Sequence, residues 1–367
     1  MKGFANCHSH VFHRALRGRT GGGTFWSWRD EMYAIARILD PDLLYRLARA
    51  TYAEMRLAGI DAVGEFHYVH HTLDGRTYDD PNAMGEALIA AARDVGLRVC
   101  LLDTCYLAAG FGAAPEGVQV RFGDGDADRW AERVDDLAGR HATEPDVVIG
   151  AAIHSVRAVP SDQLATVATA LPDAPLHVHV SEQPAENQAC LDATGLTPVV
   201  LLAEAGVWTS RTTAVHATHL TSDDIATLGS ASTWVCFCPT TEAELADGIG
   251  PSRALRDAGA RLTLGSDGHT VIDMFAEARA VEMHERLASG RRGTWRADEL
   301  WDAMRGHASL GFDSSTDVDL VSSVRTAGSV DPLWSATAAD ILPPADLDPG
   351  EIAADLTAAI DACWSRT

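Results

Sequence analysis

The 367-residue chain is long enough for a (β/α)8 barrel of roughly 250 residues with additions, and its composition of 46% hydrophobic and 22% charged residues is that of a globular protein. The net charge of −23 argues against nucleic acids and anionic membrane surfaces as partners. The chain has no apolar run of about 18 residues and no signal-like N-terminus, and its seven cysteines form no disulfide framework. We therefore expect a cytoplasmic protein.

Short apolar, β-rich runs alternate with helical patterns along the chain. We predict eight strands, in the runs ANCHSH, AVGEFHYVHH, RVCLLDTCY, VVIGAAIHS, PLHVHVSE, TTAVHATHL, STWVCFCPT and ARLTLGSDG. Helix patterns such as PDLLYRLARATYAEMRLAG lie between them, and several end in Ala-Gly or Val-Gly, a typical helix stop. The pattern predicts the α/β class and a closed (β/α)8 TIM barrel. An open doubly wound sheet is the alternative, but no Gly-rich phosphate loop follows an early strand.

The alternation of strands and helices stops near residue 312. We therefore predict that residues 1–312 form the barrel and that residues 313–367 form an appendage. The appendage is rich in Ser, Asp and Pro and closes with a helical run, EIAADLTAAIDACW.

Histidine pairs stand at the ends of two predicted strands. His8 and His10 end the first strand, and residues i and i+2 of a strand face the same side, so both imidazoles point into the barrel mouth. His177 and His179 end the fifth strand, and one of the two could join a metal site. Glu182 follows three residues later and could reach a metal-bound water, although a carboxylate at a helix N-terminus is the simpler interpretation.

The sixth and eighth predicted strands also end in polar residues. His216-Ala217-Thr218-His219 follows the sixth strand, and Asp267 lies in the Gly-flanked run GSDGH after the eighth. In a parallel barrel the C-terminal ends of all strands meet at one rim, where the chemistry of this fold is carried out. Three histidines with one carboxylate suit zinc, with iron as the alternative.

Longer runs carry a resemblance to a known family. HSHVFHRAL, FWSWRDEMY, GEFHYVHH, HSVRAV, HVHVSEQPAE, AVHATHL, CPTTEAELADGI and GSDGH follow one another from residue 8 to about residue 269. In this order they resemble the amidohydrolase superfamily and, within it, the formimidoylglutamate deiminase family of histidine degradation. The resemblance implies zinc-dependent hydrolysis of N-formimino-L-glutamate, a small dicarboxylate, to N-formyl-L-glutamate and ammonia.

The same resemblance implies a metal centre with His8, His10, His179 and Asp267 as its ligands. Binuclear members of the superfamily place a carboxylated lysine at the end of the fourth strand. Here that strand ends in IHSVRAV, and the only lysine in the chain is Lys2. We therefore expect one metal ion per chain.

The resemblance further implies catalytic roles for Glu182 and His216 beside the metal. Zinc lowers the pKa of a bound water to about 7. We expect Asp267 and His216 to accept or steer the proton of this water, while Glu182 delivers a proton to the leaving nitrogen.

Four further residues are implied as substrate contacts. Arg29, Tyr68 and Arg157 would hold the glutamate part, and guanidinium groups pair well with carboxylates. Surface salt bridges for the arginines and rim packing for Tyr68 are the alternatives. His13 stands where the family commonly has Gln, so we expect the substrate contact at this position to differ from the one that Gln makes in the family.

Two expectations concern the rest of the molecule. Superfamily members usually carry a small β-sandwich built from both chain ends, whereas this sequence opens almost on the first His pair, so we expect the sandwich to be missing or reduced. The apolar surface it would cover would then be hidden by the final helix or by a partner subunit, and we expect a homodimer. A deaminase acting on a nucleobase or related amine, and a catalytically silent metal-binding barrel, are the alternative functions.

Overall fold

The computed structural model describes residues 1–367 and contains one eight-stranded parallel sheet whose strands follow one another in chain order. Every run predicted to be a strand contains one, and the predicted (β/α)8 barrel is confirmed. The strands are β1 Phe4–Ser9, β2 Ile60–His67, β3 Arg98–Cys105, β4 Val147–Ile153, β5 Leu176–Val180, β6 Thr212–His216, β7 Trp234–Phe237 and β8 Arg261–Leu264.

The barrel closes where β1 meets the end of β8. Ser9 and Asp267 form a parallel bridge, in which the His10 N–H donates to the Asp267 carbonyl at 3.2 Å and the Asp267 N–H donates to the His8 carbonyl at 3.0 Å. A side chain at Gly265 would collide with the backbone of His8, because a Cβ there would lie 2.7 Å from the His8 carbonyl oxygen. Glycine at this position therefore lets the last strand approach the predicted metal-binding pair.

Thirteen α-helices surround the strands, and several begin at a side chain that caps free backbone N–H groups. Asp40, for example, accepts from the Leu43 N–H at 2.7 Å, and Pro41 occupies the first position of α2. The helices are α1 Phe25–Ile38, α2 Pro41–Leu57, α3 Ala83–Asp94, α4 Ala127–His141, α5 Leu164–Ala170, α6 Pro184–Thr194, α7 Pro198–Glu204, α8 Ser222–Ser230, α9 Pro239–Glu244, α10 Ser252–Ala258, α11 Met274–Ser289, α12 Ala297–Ala303 and α13 Pro349–Trp364.

Five short 3₁₀ helices complete the regular structure: Val11–Leu16, Gly117–Arg121, Gly306–Leu310, Pro332–Trp334 and Ala338–Asp340. None of the helices combines the length and the apolar character that a membrane crossing requires.

The strands are buried on both faces, as expected for a sheet covered by helices on one side and filled with side chains on the other. All residues of β1 and β2 are buried. This burial explains why the strand runs are almost continuously apolar and why their polar exceptions, at the C-terminal ends, lie in a functional position.

Residues after the barrel pack back onto its first elements. An antiparallel bridge joins Lys2 to Asp317, and helix α13 packs against α2. The Trp364 indole N–H donates to the Ala15 carbonyl at 2.8 Å. The C-terminal segment therefore covers the region through which the chain enters β1.

Candidate metal centre and active site

Three imidazole nitrogens and one carboxylate oxygen meet at the C-terminal ends of β1, β5 and β8. The Nε2 atom of His179 lies 3.1 Å from that of His8 and 3.3 Å from that of His10. The Oδ1 atom of Asp267 lies 3.4 Å from the Nε2 atoms of both His8 and His10. All four residues predicted as metal ligands therefore face one position.

The remaining ring nitrogens determine which atoms can bind a metal. The Nδ1 atoms of His10 and His179 lie 2.9 Å and 3.0 Å from the carbonyls of Phe66 and His154, to which they donate. Because a carbonyl can only accept, each neutral ring carries its proton on Nδ1 and a lone pair on Nε2. Burial also lowers the pKa of His8 to about 3, which keeps that ring neutral. Converging lone pairs repel each other unless a cation lies between them, so this donor set fits zinc or iron.

Two neighbouring histidines face away from this position. His177, the alternative ligand on β5, points its Nε2 atom to the Ser309 carbonyl at 3.3 Å inside the barrel. His269 is buried behind the cluster, where its ring nitrogens lie 3.1 Å from the Ser9 hydroxyl and 2.9 Å from that of Ser266. The ambiguity between His177 and His179 is thus resolved by side-chain direction.

The backbone around the cluster is unusual. Five residues that are not glycine adopt left-handed φ angles at the ends of β5, β6 and β8: Ser181 (53°), His216 (66°), Ala217 (48°), Asp267 (39°) and His269 (59°). Such conformations cost about 1–3 kcal/mol each and persist where the surrounding structure imposes them, most often at functional sites. Here they turn the side chains of His216 and Asp267 into the barrel mouth.

Glu182 and His216, predicted as catalytic residues, lie beside the metal-binding cluster. The His216 Nε2 atom is 3.9 Å from Glu182 Oε1 and 3.9 Å from Asp267 Oδ2. Burial raises the pKa of Glu182 to about 7, so this carboxyl group can hold or release a proton near neutral pH. Burial opposes a charged His216, but the neighbouring carboxylates, Glu182 foremost, raise its pKa well above the usual value.

Asp267 is strongly biased towards its ionised form. Burial raises its pKa, but the hydrogen bond from His8 and the nearby His10 and His216 more than offset this effect and hold the pKa far below its usual range. Its Oδ1 atom faces the imidazole cluster, whereas Oδ2 faces His216. Oδ1 is therefore placed where it could bind a metal, and Oδ2 is placed where it could exchange a proton with His216.

A pocket opens above the cluster. Apart from His8, which lies beneath it, every residue predicted for the site lines this pocket. The lining consists of His10, His13, Phe25, Trp28, Arg29, Met32, Tyr33, Tyr68, Tyr106, Ala109, Phe122, His154, Arg157, His179, Glu182, His216, Leu245 and Asp267.

Two arginines reach the pocket from different elements. The guanidinium of Arg29, on α1, lies 4.5 Å from the Trp26 ring and 5.5 Å from the Tyr33 ring. Arg157 follows β4, and its Nε atom is 3.6 Å from the Glu186 carboxylate. The Nε atom of Arg29 is buried without a hydrogen-bond partner and offers a donor to a bound anion, whereas the Nε atom of Arg157 already faces the Glu186 carboxylate, so Arg157 would bind an anion through its other N–H groups.

His13 and Tyr68 are in contact with each other. The His13 Nε2 atom lies 3.3 Å from the Tyr68 hydroxyl, which donates to the Met32 sulfur at 3.5 Å. Both residues are only 3% exposed, and the His13 ring is 4.6 Å from that of His10. The Nδ1 atom of His13 is buried without a partner, so this position presents an imidazole next to the metal-binding cluster.

Three residues of the site were missed by sequence reasoning. Tyr106 and His154 line the pocket at the ends of β3 and β4, with their rings 4.6 Å apart. The rule that placed the other polar residues at strand ends could have found both. Glu242, whose Oε1 atom is 3.3 Å from the His216 Nδ1 atom, lies on helix α9 and carried no such signal.

Comparison with known proteins places this geometry in a family. The Amidohydrolase family matches residues 1–314. Formimidoylglutamate deiminase of Pseudomonas aeruginosa is 36% identical over 312 residues, which cover 82% of this chain and 67% of that protein.

A more distant relative and a solved structure agree with this match. The 5-methylthioadenosine/S-adenosylhomocysteine deaminase of Teredinibacter turnerae is 27% identical over 79% of this chain and 61% of its own length. The crystal structure of an amidohydrolase from Brucella melitensis has a TM-score of 0.90 and 30% identity over 99% of this chain and 89% of that chain. The chain thus spans about two thirds or less of the length of these two curated relatives.

Proposed function

The chain belongs to the amidohydrolase family and is a hydrolase of carbon–nitrogen bonds, and from that premise we propose that it converts N-formimino-L-glutamate and water to N-formyl-L-glutamate and ammonia with one zinc ion per chain. The 36% identity to formimidoylglutamate deiminase supports this substrate. The observation that carries the proposal is that two arginines line the same pocket as the imidazole cluster and the Glu182–His216 pair.

Substrate binding rests on charge. N-formimino-L-glutamate has two carboxylates, and the guanidinium groups of Arg29 and Arg157 can each pair with one of them in a pocket that excludes most water. The hydroxyl of Tyr68 and the imidazole of His13 offer polar contacts between the arginines and the cluster. These contacts would leave the formimino carbon at the cluster and the glutamate part towards the pocket mouth.

His8, His10, His179 and Asp267 would hold the zinc ion, which when bound supplies a Lewis acid that acidifies a water molecule. Iron is the alternative metal for the same donors. The Nδ1 contacts of His10 and His179 to backbone carbonyls fix the direction of both rings before a metal arrives.

Proton transfer is assigned to three side chains. Asp267 Oδ2 and His216 Nε2 face each other and accept or steer the proton of the attacking water. As the water oxygen forms a bond to the formimino carbon, Glu182, whose pKa is raised to about 7 by burial, donates its proton to the leaving nitrogen and becomes a carboxylate. Of the two protons of the water molecule, one returns Glu182 to its acid form and the other completes the ammonia. The carbon–nitrogen bond then breaks, and ammonia leaves with N-formyl-L-glutamate as the second product.

A second candidate is a deaminase that acts on a nucleobase or nucleoside. The pocket walls contain Trp28, Tyr33, Tyr106 and Phe122, which could stack on a planar ring, and a deaminase of 5-methylthioadenosine is 27% identical to the chain. A planar neutral base, however, makes no use of two arginines.

Ammonia release by the zinc-loaded protein from N-formimino-L-glutamate, cytosine, guanine and adenosine separates the two candidates. We expect turnover of N-formimino-L-glutamate and none of the three ring compounds. Turnover of a base or nucleoside in preference to the dicarboxylate would replace the proposed substrate, while leaving the assignment as a hydrolase of carbon–nitrogen bonds intact.

A further inference from the structure

Glu242 is a buried acidic residue that the proposed reaction does not use. It lies on helix α9, which follows β7, and only 2% of it is exposed. Its Oε1 atom accepts from the Cys238 N–H at 2.8 Å, and its own N–H donates to the Cys238 carbonyl at 2.9 Å. Because the carboxylate is tied to the helix start, its position does not depend on a bound substrate.

The same Oε1 atom lies 3.3 Å from the Nδ1 atom of His216. A carboxylate can only accept a hydrogen bond, so the proton of a neutral His216 ring belongs on Nδ1. The Nε2 atom then carries a lone pair, and it faces Glu182 Oε1 and Asp267 Oδ2, each 3.9 Å away. With the proton on Nε2 instead, the Nδ1 lone pair would face a negatively charged oxygen.

The backbone of His216 makes such a support necessary. Its φ of 66° is strained for a histidine, and the next residue, Ala217, is also left-handed at 48°. Glu242 supplies the contact on the Nδ1 side, opposite the reacting groups.

We propose that Glu242 is a positioning residue, which keeps the His216 proton on Nδ1 and aims Nε2 at the space between Glu182 and Asp267. The inference rests on the proposed function only for the proton-accepting role of His216. It does not depend on which amine or amidine is hydrolysed.

The variant Glu242→Gln removes the negative charge and allows the amide to donate to Nδ1. We expect kcat to fall about 10–100-fold, a part of the 10²–10⁴-fold that acid–base catalysis contributes, while KM and zinc content stay unchanged. Glu244→Gln, an exposed residue of the same helix, is the matched control and should keep the kcat of the unaltered protein. A Glu242→Gln protein with kcat within twofold of the control overturns the proposal.

A direct measurement of the tautomer is independent of activity. Long-range ¹H–¹⁵N spectra of protein labelled at histidine nitrogens distinguish protonated from unprotonated ring nitrogens, and comparison with His216→Gln identifies the resonances of this ring. In spectra recorded at a pH where the His216 ring is neutral, we expect a proton on Nδ1 and none on Nε2 in the unaltered protein, and a shift of the proton towards Nε2 in Glu242→Gln. An unprotonated Nδ1 in the unaltered protein overturns the proposal, even if the variant does not fold.

The two measurements separate this inference from the proposed substrate. If N-formimino-L-glutamate is not hydrolysed, the substrate assignment fails, but the spectra still test the Glu242–His216 contact. If the substrate is hydrolysed and Glu242→Gln changes neither kcat nor the tautomer, only the positioning role fails.

Discussion

At the scale of single residues, the task of each imidazole follows from the contact of its second nitrogen. His10 and His179 donate from Nδ1 to neutral backbone carbonyls, which leaves Nε2 free to bind a metal. His216 instead has a carboxylate, Glu242, at Nδ1, which increases the basicity of the ring and suits a proton acceptor. These contacts support the proposed division of the three histidines between metal binding and proton transfer.

The first prediction at this scale concerns Glu182. Glu182→Gln removes the group that donates a proton to the leaving nitrogen but leaves the imidazole cluster intact. We expect kcat to fall at least about a hundredfold, with zinc content unchanged when measured by metal analysis. Glu204→Gln, on the exposed end of α7, is the control, and near-normal turnover of Glu182→Gln would remove this residue from the mechanism.

Arg157 provides the second prediction. Arg157→Met keeps the bulk of the side chain but loses its charge-assisted contact with a substrate carboxylate, which is worth about 1.5–3 kcal/mol. We therefore expect KM for N-formimino-L-glutamate to rise about 10–100-fold, with a smaller change in kcat. Arg129→Met, whose side chain is 72% exposed, should leave KM unaltered; an unaltered KM in Arg157→Met would argue against a dicarboxylate substrate.

At the scale of elements, the seam between β1 and β8 determines whether the ligands meet. The Asn6 amide donates to the Ser266 hydroxyl at 2.7 Å, and its carbonyl oxygen accepts from the Ser266 N–H at 2.8 Å. Ser266 in turn contacts His269, which reaches Ser9. Side-chain hydrogen bonds therefore join the two strands directly beneath His8, His10 and Asp267, where few backbone ladder bonds exist.

This seam leads to the third prediction. Asn6→Ala leaves the buried Ser266 N–H without its partner, which costs about 1–3 kcal/mol of unfolding free energy. It also loosens the alignment of β1 with Asp267, so zinc affinity should fall about 10–100-fold. Asn82→Ala, a buried asparagine that contacts α4 instead, should lose stability without losing zinc affinity, and equal zinc affinities for the two variants would contradict the role given to the seam.

A buried ion-pair network between helix α4 and strand β3 tests how much charge contributes to the stability of the fold. Arg133 on α4 pairs with Asp103 on β3 at 2.8 Å and with Asp124 at 2.9 Å, and all three are buried. Burial raises the pKa of Asp103, but the charge of Arg133 outweighs it and holds the pKa at about 2. A carboxyl group whose pKa is depressed in the folded state stabilises the fold at pH values above its unfolded-state pKa of about 3.9. This stabilisation is lost as the pH falls towards 2.

We accordingly expect Arg133→Met to lower the free energy of unfolding by about 3–5 kcal/mol at pH 7, because it removes the positive charge that the carboxylates of Asp103 and Asp124 share. The difference from the unaltered protein should shrink as the pH falls from 4 towards 2 in denaturant titrations. Arg93→Met breaks an exposed pair with Glu144 and should change stability little. A pH-independent difference for Arg133→Met would show that packing, not charge, stabilises this contact.

The order of elements and most of the site follow from local signals in the sequence. Strand runs are apolar because both faces are buried, and their polar ends mark the rim, which brings His8, His179, His216 and Asp267 together without knowledge of the loops. The ring direction that excludes His177, and the contact of Glu242 with His216, could not be predicted because both depend on packing between elements distant in the chain.

At the scale of the whole molecule, the net charge of −23 opposes an anionic substrate. The proposed dicarboxylate would therefore have to be attracted at short range by Arg29 and Arg157, where burial strengthens the attraction. Both arginines line the same pocket as the metal-binding cluster, so in the proposed complex the two ends of the substrate would be recognised by different chemistry. This division of the pocket is the basis for assigning N-formimino-L-glutamate to the chain.

The most direct test of the central claim is a zinc titration of metal-free protein, followed by the rate of ammonia release from N-formimino-L-glutamate. We predict that activity rises linearly with zinc and levels off at one ion per chain, and that Asp267→Asn shows no such rise. Protein that binds one zinc ion and releases no ammonia from this substrate, or that needs two ions for activity, would contradict the account.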